Sequence, residues 1–152
     1  MLKKSLAIEE KLGRQEGIAN QYGNLGLIYK TRGDLEQAET MHKKALAIDE
    51  KLGRQEGMAD DDASLGLIYQ TRGDLDQAEA MHKKSLAINE KLGRLEGMGN
   101  QNANLGTVYE QRGDLGKTRE YWTKARDLYT KAQMPHVAAE MQGWIDELPG
   151  GE

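Results

Sequence analysis

The chain contains no cysteine and no phenylalanine, and its 152 residues include only two prolines. Without thiols there is neither a disulfide nor a thiolate-bound metal, and a reducing, cytoplasmic setting is expected. Charge of one sign is also missing: 21 Lys and Arg stand against 25 Asp and Glu, for a net charge of −4. That balance lacks the clustered basic excess of a nucleic-acid footprint. No apolar run approaches the roughly 18 residues that a membrane span needs. Neither nucleic acid nor a membrane is therefore an expected partner. Runs of β-branched residues are absent as well, which argues against strands.

What is present is a repeat. Residues 3–42, 43–82 and 83–122 align without a gap, the first two blocks sharing 29 of 40 residues and the second and third 21. The N-terminal "MLKKSLAIEEKL" has the look of a basic targeting segment, but "MHKKALAIDEKL" at Met41–Leu52 repeats it internally, so it is structure. Each block carries two amphipathic helical patterns. In one, A, the apolar residues are Ile18, Tyr22, Leu25, Ile28 and Tyr29. In the other, B, they are Leu35, Ala38, Met41, Ala45, Leu46, Ile48 and Leu52. Both have the three-to-four spacing of a helix face. The chain divides into residues 1–14 (a lone helix B), three units at 15–54, 55–94 and 95–134, and a final helix and tail at 135–152.

The turn between A and B reads "TRGDL" at Thr31–Leu35 and Thr71–Leu75, and "QRGDL" at Gln111–Leu115. Arg-Gly-Asp is also an integrin-binding tripeptide, but that role needs an extended, exposed loop. Here the glycine follows the last apolar residues of a helix, where a left-handed residue is wanted. The aspartate precedes the next helix, where it can cap free N–H groups. Gln37 and Gln77 stand three residues after Asp34 and Asp74, as in a capping box, while Lys117 occupies that place after Asp114. The second turn, "KLGRQEG", offers Gly53 as another left-handed cap, with Lys51 at the negative helix end.

These residues resemble a tetratricopeptide repeat. The pattern is Leu25, Gly26, Tyr29, Gly33, Leu35, Ala38, Ala45 and Leu46, and it recurs from Leu65 to Leu86 and from Leu105 to Ala125. The unit of 40 residues, longer than the usual 34, is similar to those of kinesin light chain and the Pins/LGN polarity adaptors. The resemblance implies an all-α fold, a right-handed superhelical α-solenoid of antiparallel helix pairs with about seven helices. It departs from the family at His42 and His82, in a column that usually holds a large apolar residue and holds Trp122 in the third unit. These two histidines are expected in the core rather than on a metal. Gly26, Gly66 and Gly106 are expected where helices A and B approach closely.

Met1 falls where Met41 and Met81 fall, inside a helix B, so the chain reads as a piece of a longer array. Leu2, Leu6 and Ile8 would then lack part of their cover, and a homo-oligomer through that uncapped helix is an expectation. At the other end Val137, Met141, Trp144, Ile145 and Leu148 form one stripe of a closing helix, with Pro135 in its first turn.

By the same resemblance the A helices line a concave groove for a protein or peptide segment. The side chains placed there are Asn20, Asn24, Leu27 and Lys30 in the first unit and Asp60, Ser64, Leu67 and Gln70 in the second. Asn100, Asn104, Thr107 and Glu110 follow in the third, with Trp144 in the column of Asn24 and Asn104. An asparagine there can donate to and accept from an extended backbone. Only Lys30 in that set is cationic, so an acidic tail is a poor ligand and a neutral or mildly basic segment a better one. "DDDAS" at Asp60–Ser64 breaks the pattern. Three adjacent carboxylates on a helix point 100° apart and do not converge on one ion; the readings are local drift or engineering, or binding of an ion or a basic ligand. No Ser or Thr sits in a nucleophile context and no glycine loop cradles a phosphate. No catalytic residue, cofactor or metal is expected. The expected role is an interaction scaffold; the alternative is a structural spacer or self-associating module working through its N-terminal end or convex face.

Overall fold

The computed structural model describes residues 3–7 and 14–150. Leu2 and Ile8, invoked above for the uncapped end, lie outside the described residues. Residues 3–7 are helical, and seven further helices follow: α1 Gln15–Thr31, α2 Leu35–Leu52, α3 Gln55–Arg72, α4 Leu75–Leu92, α5 Leu95–Gln111, α6 Leu115–Lys131 and α7 Pro135–Asp146. The described residues thus hold one helical stretch more than the seven expected, and no strand. Successive helices pack on one another, and α3 also touches α5, so the helix pairs stack into a solenoid.

Small residues set the spacing of that stack. Ala38, Ala45, Ala59, Ala78 and Ala125 are fully buried where helices cross. Gly26, Gly66 and Gly106 make a deeper notch in each A helix. A Cβ there would come within 2.5 Å of His42, 2.6 Å of His82 and 2.2 Å of Trp122 respectively. Both histidines are core residues, as expected, and Trp122 fills the third notch with its Nε1 donating to the Ala103 carbonyl at 3.1 Å.

The turns follow the sequence closely. Gly33, Gly73 and Gly113 have φ between 81° and 83°. Asp34, Asp74 and Asp114 accept from the backbone N–H three residues on, at 3.1, 3.3 and 3.1 Å. The capping box is not reciprocal, however. The backbone N–H of each aspartate already donates to Tyr29, Tyr69 or Tyr109 of the helix before, at 2.9 Å. With that donor taken, Gln77 turns its amide to the Asp74 carboxylate instead, at 2.6 Å. In the last turn, "KAQMP", no glycine is available, and Gln133 adopts φ 61° in its place.

The arginine of the tripeptide has a task that sequence reading missed. Arg72 and the Tyr69 hydroxyl both bond the Glu39 carboxylate of the preceding unit, the tyrosine at 2.7 Å. Arg112 and Tyr109 bond Glu79 in the same way. Burial alone would raise these two carboxyls. Hydrogen bonds from the neighbouring lysine, tyrosine and arginine outweigh it and hold both down at about 2. Only the 30-residue spacing of Tyr and Glu hinted at the pair.

Candidate functional site

Along the side of the solenoid formed by α1, α3, α5 and α7, hollows open between neighbouring A helices. One, about 810 Å³, lies between α1 and α3 and takes in Asn20, Asn24, Leu27, Asp60 and Ser64. A second, about 420 Å³ and more apolar, is bounded by Leu67, Asn100, Asn104, Thr107 and Trp144. Glu110 lies with Thr107 and Trp144 at the next. Eleven of the thirteen side chains placed in the groove by sequence therefore line one of three neighbouring hollows. The other two, Lys30 and Gln70, line none of these, unlike Glu110 of the same column: Gln70 turns inward to His82 Nε2, at 3.2 Å. Asn100 is also partly committed, since its Oδ1 accepts from the Tyr129 hydroxyl at 2.6 Å.

Two large apolar groups stay open to solvent on this side, Leu27 at 54% and Trp144 at 46% exposure. Trp144 leans on Trp122, with ring centroids 5.4 Å apart and planes tilted by 56°. One ring anchors the wall and the other faces outward beside Asn104.

The three junctions between a helix B and the following A helix share a backbone but differ in chemistry. At the second, His82 Nδ1 lies 2.9 Å from Gln101 Oε1 and Nε2 lies 3.2 Å from Gln70. Burial lowers the pKa of His82, so its ring is neutral and has one donor and one acceptor; one amide must offer oxygen and the other its NH₂. At the third junction Trp122 and Tyr129 replace these groups with aromatic cover. The first junction is charged. Asp61 takes the place of Gln101, Asp49 that of Asn89, and Lys30 that of Gln70. His42 is 2% exposed and neither ring nitrogen has a partner. Burial, and then the charge of Lys30, lower its pKa to about 4.

The three aspartates of "DDDAS" separate as helical geometry requires. Asp60 is exposed and reaches Arg94 at 3.5 Å. Asp61 and Asp62 are buried. Burial, followed by hydrogen bonding to Asp49 and repulsion from Asp49, Asp60 and Asp62, pushes Asp61 well above the carboxylate range. Burial raises Asp62 to about 6, against the pull of Lys84. Asp49 is itself buried and takes Arg54 Nη1 at 2.7 Å. Sequence reading did not single out Asp49 or Arg54; the departure of Asp49 from the Asn89 column was the available signal. Among the described residues no group of three or more His, Asp or Glu could hold a metal ion, and no helix is long and apolar enough to cross a membrane.

Two family models, both described as tetratricopeptide repeat, match residues 1–51 and 63–92. Among curated protein sequences none matches significantly. Solved structures do. The BtubC (BKLC) protein from P. vanneervenii superposes with a TM-score of 0.78 at 26% identity over 87% of this chain, which spans 55% of that protein's chain. The repeat domain of Arabidopsis FLU gives 0.70 at 24% identity, covering 77% of this chain and 98% of that one. A Podosopora anserina protein with nearly identical repeats of the kinesin light chain type gives 0.70 at 20% identity, covering 96% and 78%.

Proposed function

Because this chain belongs to the tetratricopeptide-repeat family, whose arrays are protein–protein interaction modules, we propose that it is a scaffold that holds an extended segment of a partner protein along its A helices. One observation carries the reading. The hollows between α1, α3, α5 and α7 combine solvent-facing Leu27 and Trp144 with the amides Asn24 and Asn104. Apolar side chains of a bound segment would fill the hollows, while the amides would pair with its backbone, each net hydrogen bond contributing about 1 kcal/mol.

The test uses an array of 15-residue peptides probed with the native protein and with an Asn24→Ala/Asn104→Ala variant. Trp144 is exposed and Trp122 buried, so a change in tryptophan emission reports occupancy of the groove. The expected result is saturable binding that weakens about tenfold or more in the double variant, for the loss of two backbone bonds. Binding of equal strength in the variant would defeat the reading. A mass that grows with concentration while no peptide binds would favour the self-associating module instead.

A further inference from the structure

The hollow at the first junction is unlike its counterpart at the second. It reaches inward to His42, Asp49 and Asp61. The hollow at the second junction, a further one of about 510 Å³, reaches Asn89 and Gln101 but stops short of His82. His82 is closed off by two glutamines, whereas His42 is left with two buried nitrogens and no partner. In the same hollow a carboxyl oxygen of Asp61, Oδ2, is buried without a donor. Arg54, the cation at hand, is committed to Asp49. The site therefore holds more acceptors than donors: its own donors are the single N–H of the neutral His42 ring and the proton of Asp61, which Asp49 engages. A buried polar group is normally satisfied, and a pair of adjacent carboxyls needs a positive charge or a proton between them.

We propose that this hollow is a cation subsite, taking the guanidinium or ammonium group of an arginine or lysine carried by the segment in the groove. The inference rests on the groove reading above and adds a residue preference to it. Asp61 and Asp49 receive the cation's N–H groups, neutral His42 accepts a further one, and Asp60 at the rim adds a charge that draws the side chain in. Asp49 from α2 and Asp60 and Asp62 on its own helix act on Asp61 by charge; His42 from α2 and Arg54 in the turn line the same hollow, and Lys30 from α1 acts on His42. In the empty site Asp61 holds its proton, for the reasons of burial and like charge given above. When the ammonium or guanidinium arrives, that proton leaves to solvent and an ion pair replaces the carboxylic acid. The carboxyl O–H bond is the one that breaks, its proton passing to water or buffer; no other covalent bond changes. Affinity therefore rises with pH, by up to about tenfold per unit while the free Asp61 is protonated.

The experiment follows the Asp61 carboxyl carbon and the His42 ring by NMR. The protein is titrated with N-acetyl-arginine amide, with the neutral citrulline counterpart and with spermidine, each over a range of pH. The expected result is a saturable response to the arginine derivative, with the Asp61 titration moved to lower pH by a unit or more, and little response to citrulline. Asp61→Gln, which copies the amide of the next unit, should abolish that response and bring the His42 ring into the hydrogen-bonded state of His82. Asp49→Asn, which copies Asn89, is the second variant should the first fail to fold. An Asp61 titration unmoved by the arginine derivative, or moved equally by citrulline, would overturn the proposal. Tighter binding of spermidine would overturn the assignment to a protein side chain. Peptides that bind through Asn24 and Asn104 without disturbing Asp61 would remove the subsite and leave the groove. An arginine response in a protein that binds no peptide would do the reverse.

Discussion

Gly23 and Gly26 lie one turn apart inside α1, and the same substitution at each should act in opposite directions. A Cβ at Gly23 would meet nothing within 4 Å, whereas at Gly26 it would lie 2.5 Å from His42 Nε2. Alanine is favoured over glycine in a helix interior by about 0.8–1 kcal/mol. Gly23→Ala should gain that amount and raise Tm by about 2–4 °C. Gly26→Ala gains the same propensity but must push the buried imidazole by about 1 Å to restore ordinary contact, and overpacking costs about 1–3 kcal/mol. The net effect is a loss of up to about 2 kcal/mol. Gly106→Ala should be worse. Its Cβ would sit 2.2 Å from Trp122 Cδ1, and the indole is tied to the Ala103 carbonyl. Moving that ring also strains a hydrogen bond worth about 1 kcal/mol, for a net loss of about 1–3 kcal/mol. Thermal melts followed by circular dichroism should rank the proteins Gly23→Ala, native, Gly26→Ala, Gly106→Ala, from most to least stable. A Gly106→Ala protein melting at or above the native one would refute the notch as the determinant of helix spacing.

Loss of the cap in Asp74→Ala should cost about 0.5–2 kcal/mol in the same melts, while cells should adhere to the native protein no better than to an Asp34, Asp74 and Asp114 triple alanine variant. Glu39 and Glu79 titrate at about 2 instead of 4.5, so the stability of their ties is complete above about pH 4.5 and is lost as pH falls through 2; a Glu39→Gln/Glu79→Gln variant should show a shallower acid limb. Asp61 and Asp62 are shifted the other way. The folded protein holds their protons where the unfolded chain has released them, so stability declines as pH rises from about 4 toward neutrality. Asp61→Gln should flatten that decline, and an unchanged slope would count against a buried protonated carboxyl. Gln133→Gly should stabilise by about 1 kcal/mol, by relieving a left-handed non-glycine residue.

The helices and their ends were legible because each rests on local rules: apolar spacing, a left-handed glycine and a capping aspartate within a few residues. The notches and the groove columns came instead from the likeness to tetratricopeptide repeats, since helical spacing groups residues on a face without saying which face a partner would meet. What escaped were contacts between units. The bond from Tyr69 to Glu39 and the Arg72 pair cross from one helix pair to the next. Nothing within either helix marks them. The failure of the capping box had a similar cause, because the N–H it needed was already used by the helix before. The burial of Asp61 and Asp62 ran against the ordinary preference of carboxyls for water, which is why "DDDAS" offered a choice of readings and no answer.

The ties between units reach only one unit back: Tyr69 and Tyr109 meet glutamates 30 residues earlier, and Arg72 and Arg112 meet them 33 residues earlier. A deletion of residues 43–82 would bring Tyr109 and Arg112 onto Glu39 at those same separations. Unequal recombination between such similar stretches can therefore lengthen or shorten the gene by one unit and still encode intact joints. Array length is a quantity that selection can adjust in single steps. The charged junction is not so interchangeable: in that deletion His42 would face Gln101, Asn89 would stand in the place of Asp49, and the buried carboxyl pair would vanish with the lost unit. Copy number and pocket chemistry are thus inherited together at one boundary and independently everywhere else.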